Sequence, residues 1–229
     1  MKSSITTMEQ VRIPIVGIIL GIYLLNVSLI GEAIAREIPD NPESICPILI
    51  GQSLPKIGIR TKDNDLFDLN AAITKKPAVL IFFRGGWCMY CNRQLNQLKS
   101  IESALIEMGY QIIAISPDRP EILNRPADKY QLKYQLFSDS AMTAAKSLGI
   151  AFRLDDKTFT KYKNDYGIDI EADSGQPHHL LPVPAAFIVD TEGILRFSYV
   201  NPNYKVRIDP KVLLEAAKAA LQSKADNPP

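Results

Sequence analysis

The stretch that most constrains what this chain can fold into runs from Ala78 to Ile106, AVLIFFRGGWCMYCNRQLNQLKSIESALI. It opens with a continuous apolar run, Ala78 to Phe83, of the length and bulk of a strand buried on both faces. Gly85 and Gly86 then break the run with a turn. Beyond Cys91, Leu95, Leu98, Ile101, Leu105 and Met108 recur at three- and four-residue spacing, which draws one apolar stripe along a helix. Cys88 therefore falls where a buried strand hands over to a helix start, and Cys91 falls one turn further in.

That position has chemical consequences. A helix start carries unsatisfied N–H groups and the positive end of the helix dipole, so a thiol there tends to ionise. The thiolate is the nucleophile of disulfide exchange and of attack on peroxide oxygen. A second sulfur three residues on is close enough to close a disulfide or to resolve an adduct. Strand, turn, Trp-Cys-x-x-Cys and helix in that order point to redox chemistry far more strongly than a bare CxxC. The rival assignment is half of a structural zinc site, which needs two more ligands at matching spacing. Outside the pair the chain offers only Cys46 and the adjacent His178 and His179.

The chain opens with MKSSITTMEQVR, mildly basic, followed by an uncharged apolar run from Ile13 to Gly31. Ala33-Ile34-Ala35 then shows the small-x-small pattern that signal peptidases cut. The run is long for a signal peptide and short for a spanning helix, so residues 1–35 read as a cleaved signal peptide or an uncleaved anchor. Either way the rest is expected to be exported, to the periplasm or an equivalent compartment, with the membrane as partner only if the leader stays. Residues 36–55 read as an irregular lead-in, 56–223 as one domain large enough to fill a core, and 224–229 as a frayed tail. A formal net charge of +1 and the lack of a basic stripe leave nucleic-acid binding unsupported. The chain has 3 cysteines, a poor disulfide scaffold, and the odd one in an exported chain asks for a role. Cys46, before Pro47, reads either as a small packed hydrophobe or as a resolving or partner-linking thiol.

In chain order, Ile57 to Asn70 reads as a hairpin around Lys62-Asp63-Asn64-Asp65. After the core strand and helix, Tyr110 to Ser116 is a second buried strand, and Asp118 is a candidate cap for a helix from Pro120 to about Tyr130. Tyr134 to Phe137 is a short strand, and Ser138-Asp139-Ser140 caps a helix that ends at Gly149. The pattern loosens from Ile150 to Pro182, with one helix expected over Lys157 to Tyr166 and a loop over Asp173 to His179. Ala185 to Val189 and Ile194 to Val200 form a hairpin, and Asp209-Pro210 starts a closing helix. Strands alternating with helices predict an α/β sandwich with a mixed sheet.

This order of elements, with Trp87-Cys88-Met89-Tyr90-Cys91 at the helix start and Val183-Pro184 before a strand, resembles the thioredoxin fold. More closely, the stretch from Phe82 to Asn92, FFRGGWCMYCN, resembles the FxRGGWCxYCN motif of peroxiredoxin-like proteins of the alkyl hydroperoxide reductase/thiol-specific antioxidant family. The resemblance spans roughly residues 50 to 222. It implies a thioredoxin-like fold with a mixed central sheet flanked by helices, antioxidant thiol chemistry with no cofactor, and Pro184 in cis facing the sulfurs. It also implies a peroxide or disulfide substrate and a thioredoxin-like or small-thiol electron donor.

Two positions depart from the peroxiredoxin pattern. Aligning the helix starts puts Cys91 in the peroxidatic place and Cys88 where that family carries Thr or Ser. Aligning Phe187-Ile188-Val189-Asp190 puts Pro184 where an Arg would polarise peroxide. Arg84 or Arg93 reads either as a substitute for that cation, since a nearby positive charge lowers a thiol pKa, or as an ordinary solvated surface arginine. The expected cycle starts with Cys88, exposed at the helix start, attacking a peroxide or disulfide, and Cys91 then closes the disulfide. In strict peroxiredoxin order Cys91 attacks first. Trp87 reads as a lid beside the sulfurs or as a core aromatic. His178 and His179 read as a polar loop pair or, with Cys88 and Cys91, as a copper site.

Overall fold

The computed structural model describes residues 37–123, 132 and 134–226, so the leader expected over residues 1–35 lies outside the described residues. Strands β1 (Gly58–Arg60) and β2 (Leu66–Asp68) form the expected hairpin, with Ile59 paired to Phe67. Asp68 caps α1 (Leu69–Lys75), its carboxylate accepting the Ala71 N–H at 2.9 Å. This helix has no legible period, because Leu69 and Ile73 are its buried residues. Strand β3 (Ala78–Phe82) leads into α2 (Met89–Glu107), which is followed by β4 (Gln111–Ser116), β5 (Gln135–Ser138) and α3 (Thr143–Ser147). Asp139 starts α3 by accepting the N–H groups of Ala144 and Ala145 at 3.0 and 2.9 Å. Then come β6 (Ala151–Arg153), α4 (Asp156–Tyr166), α5 (Ile170–Ser174), β7 (Leu180–Pro182), β8 (Ala185–Val189), β9 (Leu195–Val200) and α6 (Pro210–Asp226).

Seven strands form one mixed sheet in the order β2-β1-β5-β4-β3-β8-β9. The central strands β3, β4 and β5 are parallel, and the outer neighbours are antiparallel. The expected α/β architecture, a mixed sheet flanked by helices, is the one observed. All five residues of β3 are buried, and their alternation serves two cores. Ala78, Leu80 and Phe82 join Ile73, Phe137 and Leu148 on one face. Val79, Ile81 and the following Phe83 join Leu95, Leu98, Leu105 and Leu213 on the other, under α2 and α6. A strand packed on both faces needs no polar alternation, which is why its sequence is a continuous apolar run.

Three local expectations are corrected. Arg119 rather than Asp118 is the N-cap of the 3-10 turn Pro120–Ile122, and residues 124–131, over which the expected helix would continue, lie outside the described ones. The stretch from Ile150 to Pro182 is more ordered than its pattern, because β6 and β7 pair with each other in a small separate sheet and α5 takes up Asp173 and Ser174. Pro184 is trans, since no peptide bond among the described residues is cis. Val183 N–H donates to Ile150 O at 2.8 Å and Pro184 O accepts from Asn201 N–H at 3.3 Å, so extended backbone runs from β7 into β8. The lead-in is irregular as expected, yet Ile38, Ile45 and Ile48 pack against the core. Cys46 is exposed, which removes its packed-hydrophobe reading.

Candidate active site

The end of β3 is fixed from both sides, with Phe82 in register with Ile115 of β4 and Ala185 of β8. The chain then turns sharply at Gly85, whose φ is +141°. A Cβ there would meet Trp87 Nε1 at 2.5 Å and Asp118 Oδ1 at 2.8 Å, so the turn has no space for a side chain. Asp118, buried at the end of β4, anchors the turn by accepting the Gly86 N–H at 2.7 Å, and Ser116 Oγ donates to the same oxygen at 3.0 Å. Asn92 Nδ2 closes the turn from the helix side, donating to Gly86 O at 2.8 Å.

Cys88 is the N-cap residue of α2, and its Sγ accepts the Cys91 N–H at 3.4 Å. A sulfur here takes the place of the usual capping oxygen, and the helix end stabilises it best as an anion. The Cys88 pKa is accordingly lowered from 9.0 to about 6, first by the hydrogen bond from the Cys91 thiol and then by the charges of Arg84 and Arg207, against the opposing cost of burial. Cys91 moves the other way: its burial and the neighbouring Cys88 push its thiol well above 9.0. The two shifts run in opposite directions and favour the thiolate at Cys88 over Cys91. Cys88 is not exposed, contrary to expectation: it retains 3% of its surface and Cys91 0%.

Two donors face Cys91 Sγ: the Arg84 backbone N–H at 3.4 Å and Arg207 Nη2 at 3.3 Å. Arg207 stands in the loop between β9 and α6 and brings a side-chain cation to Cys91. Arg84 is buried, its Nη2 donating to Tyr162 OH at 2.7 Å and its guanidinium lying over Tyr204 at 4.1 Å and Trp87 at 4.9 Å. Arg93 is exposed and sits over Tyr90 at 5.9 Å, a surface arginine rather than a site cation. Trp87 is half-buried and packs edge-on to Tyr162, with centroids 5.8 Å apart. Pro184 is buried at the wall of a cleft that Arg84 also lines.

The structure does not bring the histidines to the sulfurs. His178 uses both ring nitrogens locally, Nε2 on Ser140 O at 2.8 Å and Nδ1 accepting from Leu180 N–H at 3.0 Å. His179 Nε2 meets Glu171 Oε1 at 2.8 Å, and its ring stacks on Phe159 at 3.9 Å. Among the described residues no group of His, Cys, Asp and Glu is placed to hold a metal, so the four-residue copper arrangement is not formed. Sequence reasoning missed Arg207, Tyr162 and Asp118 as site residues. Arg207 lies 116 positions from the sulfur it touches and Tyr162 lies 78 from Arg84, separations that leave no local pattern.

Comparison with known proteins bears on the family and the fold. The AhpC/TSA family model matches residues 50–198. Comparison with curated protein sequences gives no match. Among solved structures, peroxidoxin BcpB from Mycobacterium tuberculosis superposes with a TM-score of 0.58 at 16% identity, covering 76% of this chain and 96% of its own. Reduced Prx3 from Vibrio vulnificus, in complex with hydrogen peroxide, superposes at 0.60 with 16% identity, covering 74% of this chain and 99% of its own. A peroxiredoxin-like protein from Aquifex aeolicus gives 0.60 at 15% identity, over 76% of this chain and 89% of its own. At these identities the likeness is one of fold.

Proposed function

The chain belongs to the AhpC/TSA family, whose members are thiol-dependent peroxidase oxidoreductases, and from that premise we propose that it reduces peroxides through a Cys88–Cys91 dithiol/disulfide cycle. The observation that carries the proposal is the pair of sulfurs at the start of α2, one capping the helix with its pKa lowered and one buried with its pKa raised. In the first step the Cys88 thiolate attacks the terminal peroxide oxygen, the O–O bond breaks, and the leaving oxygen takes a proton from solvent and departs as alcohol or water, with Cys88 now a sulfenic acid. Cys91 Sγ then attacks Cys88 Sγ, water leaves, and the disulfide closes. Two thiols of an external donor, a thioredoxin-like protein or a small thiol, reset the pair. Arg207 and the Arg84 N–H support charge on Cys91 whenever it leaves as a thiolate.

The test is peroxide consumption by the purified, reduced, leader-free protein under rapid mixing. Trp87, adjacent to Cys88 and the 1 tryptophan of the chain, reports the change by fluorescence. Loss of one peroxide equivalent per protein with closure of the Cys88–Cys91 disulfide is expected. Oxidation no faster than that of an ordinary thiol sinks the peroxidase reading. A second reading, a thioredoxin-like protein-disulfide oxidoreductase, is favoured by the lowered pKa falling on Cys88 rather than on Cys91. A Cys91→Ser variant separates the two, because a disulfide-exchange enzyme then accumulates a mixed disulfide at Cys88. Export is also part of the proposal, carried by residues 1–35, and the N-terminal residue of the protein recovered from its native cell decides between a cleaved and a retained leader.

A further inference from the structure

A cleft of about 260 Å³ opens next to Arg84, lined with it by Tyr162, Tyr204, Pro184, Arg153, Asp40 and Asp155. Arg84 joins it to the sulfurs, since its backbone N–H is on Cys91 and its Nη2 donates to Tyr162 OH, another residue of the lining. Arg84 is 3% exposed, and its Nε is buried without a hydrogen-bond partner. A buried guanidinium N–H left in that state is costly and is satisfied by an incoming anionic oxygen. Asp40 and Asp155 share the cleft with Arg84 and Arg153, so a ligand bearing charges of both signs matches it better than a purely anionic one. Asp155 accepts the Thr158 N–H at 2.9 Å, and Asp40 pairs only loosely with Arg153, at 3.9 Å. The cleft thus offers both signs of charge within the reach of one small molecule, between tyrosine and proline walls. An extended peptide is excluded from its β6 edge, because Arg153 N–H already donates to Pro39 O of the lead-in at 2.8 Å.

We propose that this cleft seats the zwitterionic head group of an amino-acid thiol, or of the disulfide it forms, with the carboxylate on Arg84, the ammonium on Asp155 and Asp40, and the sulfur directed to Cys88. The inference rests on the redox reading above and names its small-molecule co-substrate. In the reducing direction the ligand thiolate attacks Cys88 Sγ, the Cys88–Cys91 bond breaks, and Cys91 leaves with the electron pair to take a proton. A second thiolate attacks the ligand sulfur of the mixed disulfide, releasing the ligand disulfide and the Cys88 thiolate. Two thiols are oxidised and one protein disulfide is reduced. The reverse sequence consumes the ligand disulfide.

The experiment measures reduction of the oxidised protein by L-cysteine, cysteamine, 3-mercaptopropionate and 2-mercaptoethanol, each rate normalised to its thiolate fraction. L-Cysteine should exceed 2-mercaptoethanol by about tenfold or more, the worth of one charge-assisted contact. Asp155→Asn, which keeps the helix cap, should shrink the advantage of the amine-bearing thiols. Arg84→Gln should shrink the advantage of the carboxylate-bearing thiols, read as a ratio within the variant so that altered Cys88 reactivity cancels. Equal normalised rates in the native protein, or ratios unchanged in both variants, overturn the proposal. A companion arm oxidises the reduced protein with cystine or with bis(2-hydroxyethyl) disulfide. Preference for cystine supports the proposal with the disulfide as a substrate, whereas preference confined to the thiol arm supports it with the thiol as donor. Inertness to peroxide alongside intact thiol ratios removes the peroxidase reading and leaves this assignment standing.

Discussion

At Cys88, a capping sulfur and its partner divide one proton unequally. Cys88 titrates at about 6, so it is largely thiolate above that pH and becomes a thiol as the pH falls through it. Alkylation of the reduced protein by iodoacetamide should therefore rise with a midpoint near pH 6 at Cys88, while Cys91 stays unlabelled to much higher pH. Peptide mass mapping across pH checks both halves. The largest cause of the lowered value is the Cys91 hydrogen bond, so Cys91→Ala should move the Cys88 midpoint up toward 9.0. A midpoint that stays put would mean that the helix end and the arginines suffice. Arg207 makes a comparable case. Arg207→Gln should slow both disulfide closure and its reduction by about tenfold to a hundredfold, the effect of about 1.4–2.7 kcal/mol on a barrier. Stopped-flow Trp87 fluorescence reads the rates, and an unchanged Tm shows that packing is not the cause.

Between β3 and α2, the turn is a shared construction of three elements. Gly85 supplies a conformation that other residues rarely adopt, Asp118 reaches across from β4, and Asn92 reaches back from α2. Asp118→Ala leaves the Gly86 N–H without its acceptor, at a cost of about 1–3 kcal/mol. Gly85→Ala forces a positive φ and a clash with Trp87 and Asp118, for a loss of about 1–3 kcal/mol or more. Urea denaturation measures both losses. The same variants should raise the Cys88 alkylation midpoint, since the sulfur keeps its place only while the turn does. A stable Gly85→Ala protein with native Cys88 reactivity would show the turn to be more yielding than its contacts suggest.

Across the whole molecule, the site is assembled from distant parts of the chain: the β3–α2 turn, the end of β4, Tyr162 on α4, and the loop that enters α6. The last of these depends on how α6 docks. Leu213, wholly buried in the core under α2, anchors that helix, and Tyr110 OH donates to Ala217 O at 3.0 Å. Leu213→Ala should cost about 2–5 kcal/mol by leaving a cavity. It should also weaken the Arg207 contact with Cys91, so denaturation and peroxide kinetics should change together. Stability lost without any kinetic change would mean that the Arg207 loop is positioned independently of its helix.

Much of this was legible before any tertiary contact was known, for a physical reason. A strand buried on both faces, a glycine turn and an amphipathic helix each write their requirement into adjacent residues, so β3, α2 and the placing of Cys88 and Cys91 follow from local spacing. The closing hairpin and Asp209-Pro210 are local in the same sense. What only the tertiary structure decided is carried by contacts between residues far apart. Asp118 reads locally as a helix cap and acts as the anchor of the turn. Pro184 occupies the place expected of an arginine, and Arg207, from another part of the chain, brings a cation to Cys91. The small β6–β7 sheet, the burial of Cys88 and the separation of the histidines from the sulfurs likewise depend on how strands far apart in sequence pack. Spacing along the chain placed the two sulfurs; packing across it decided which groups surround them.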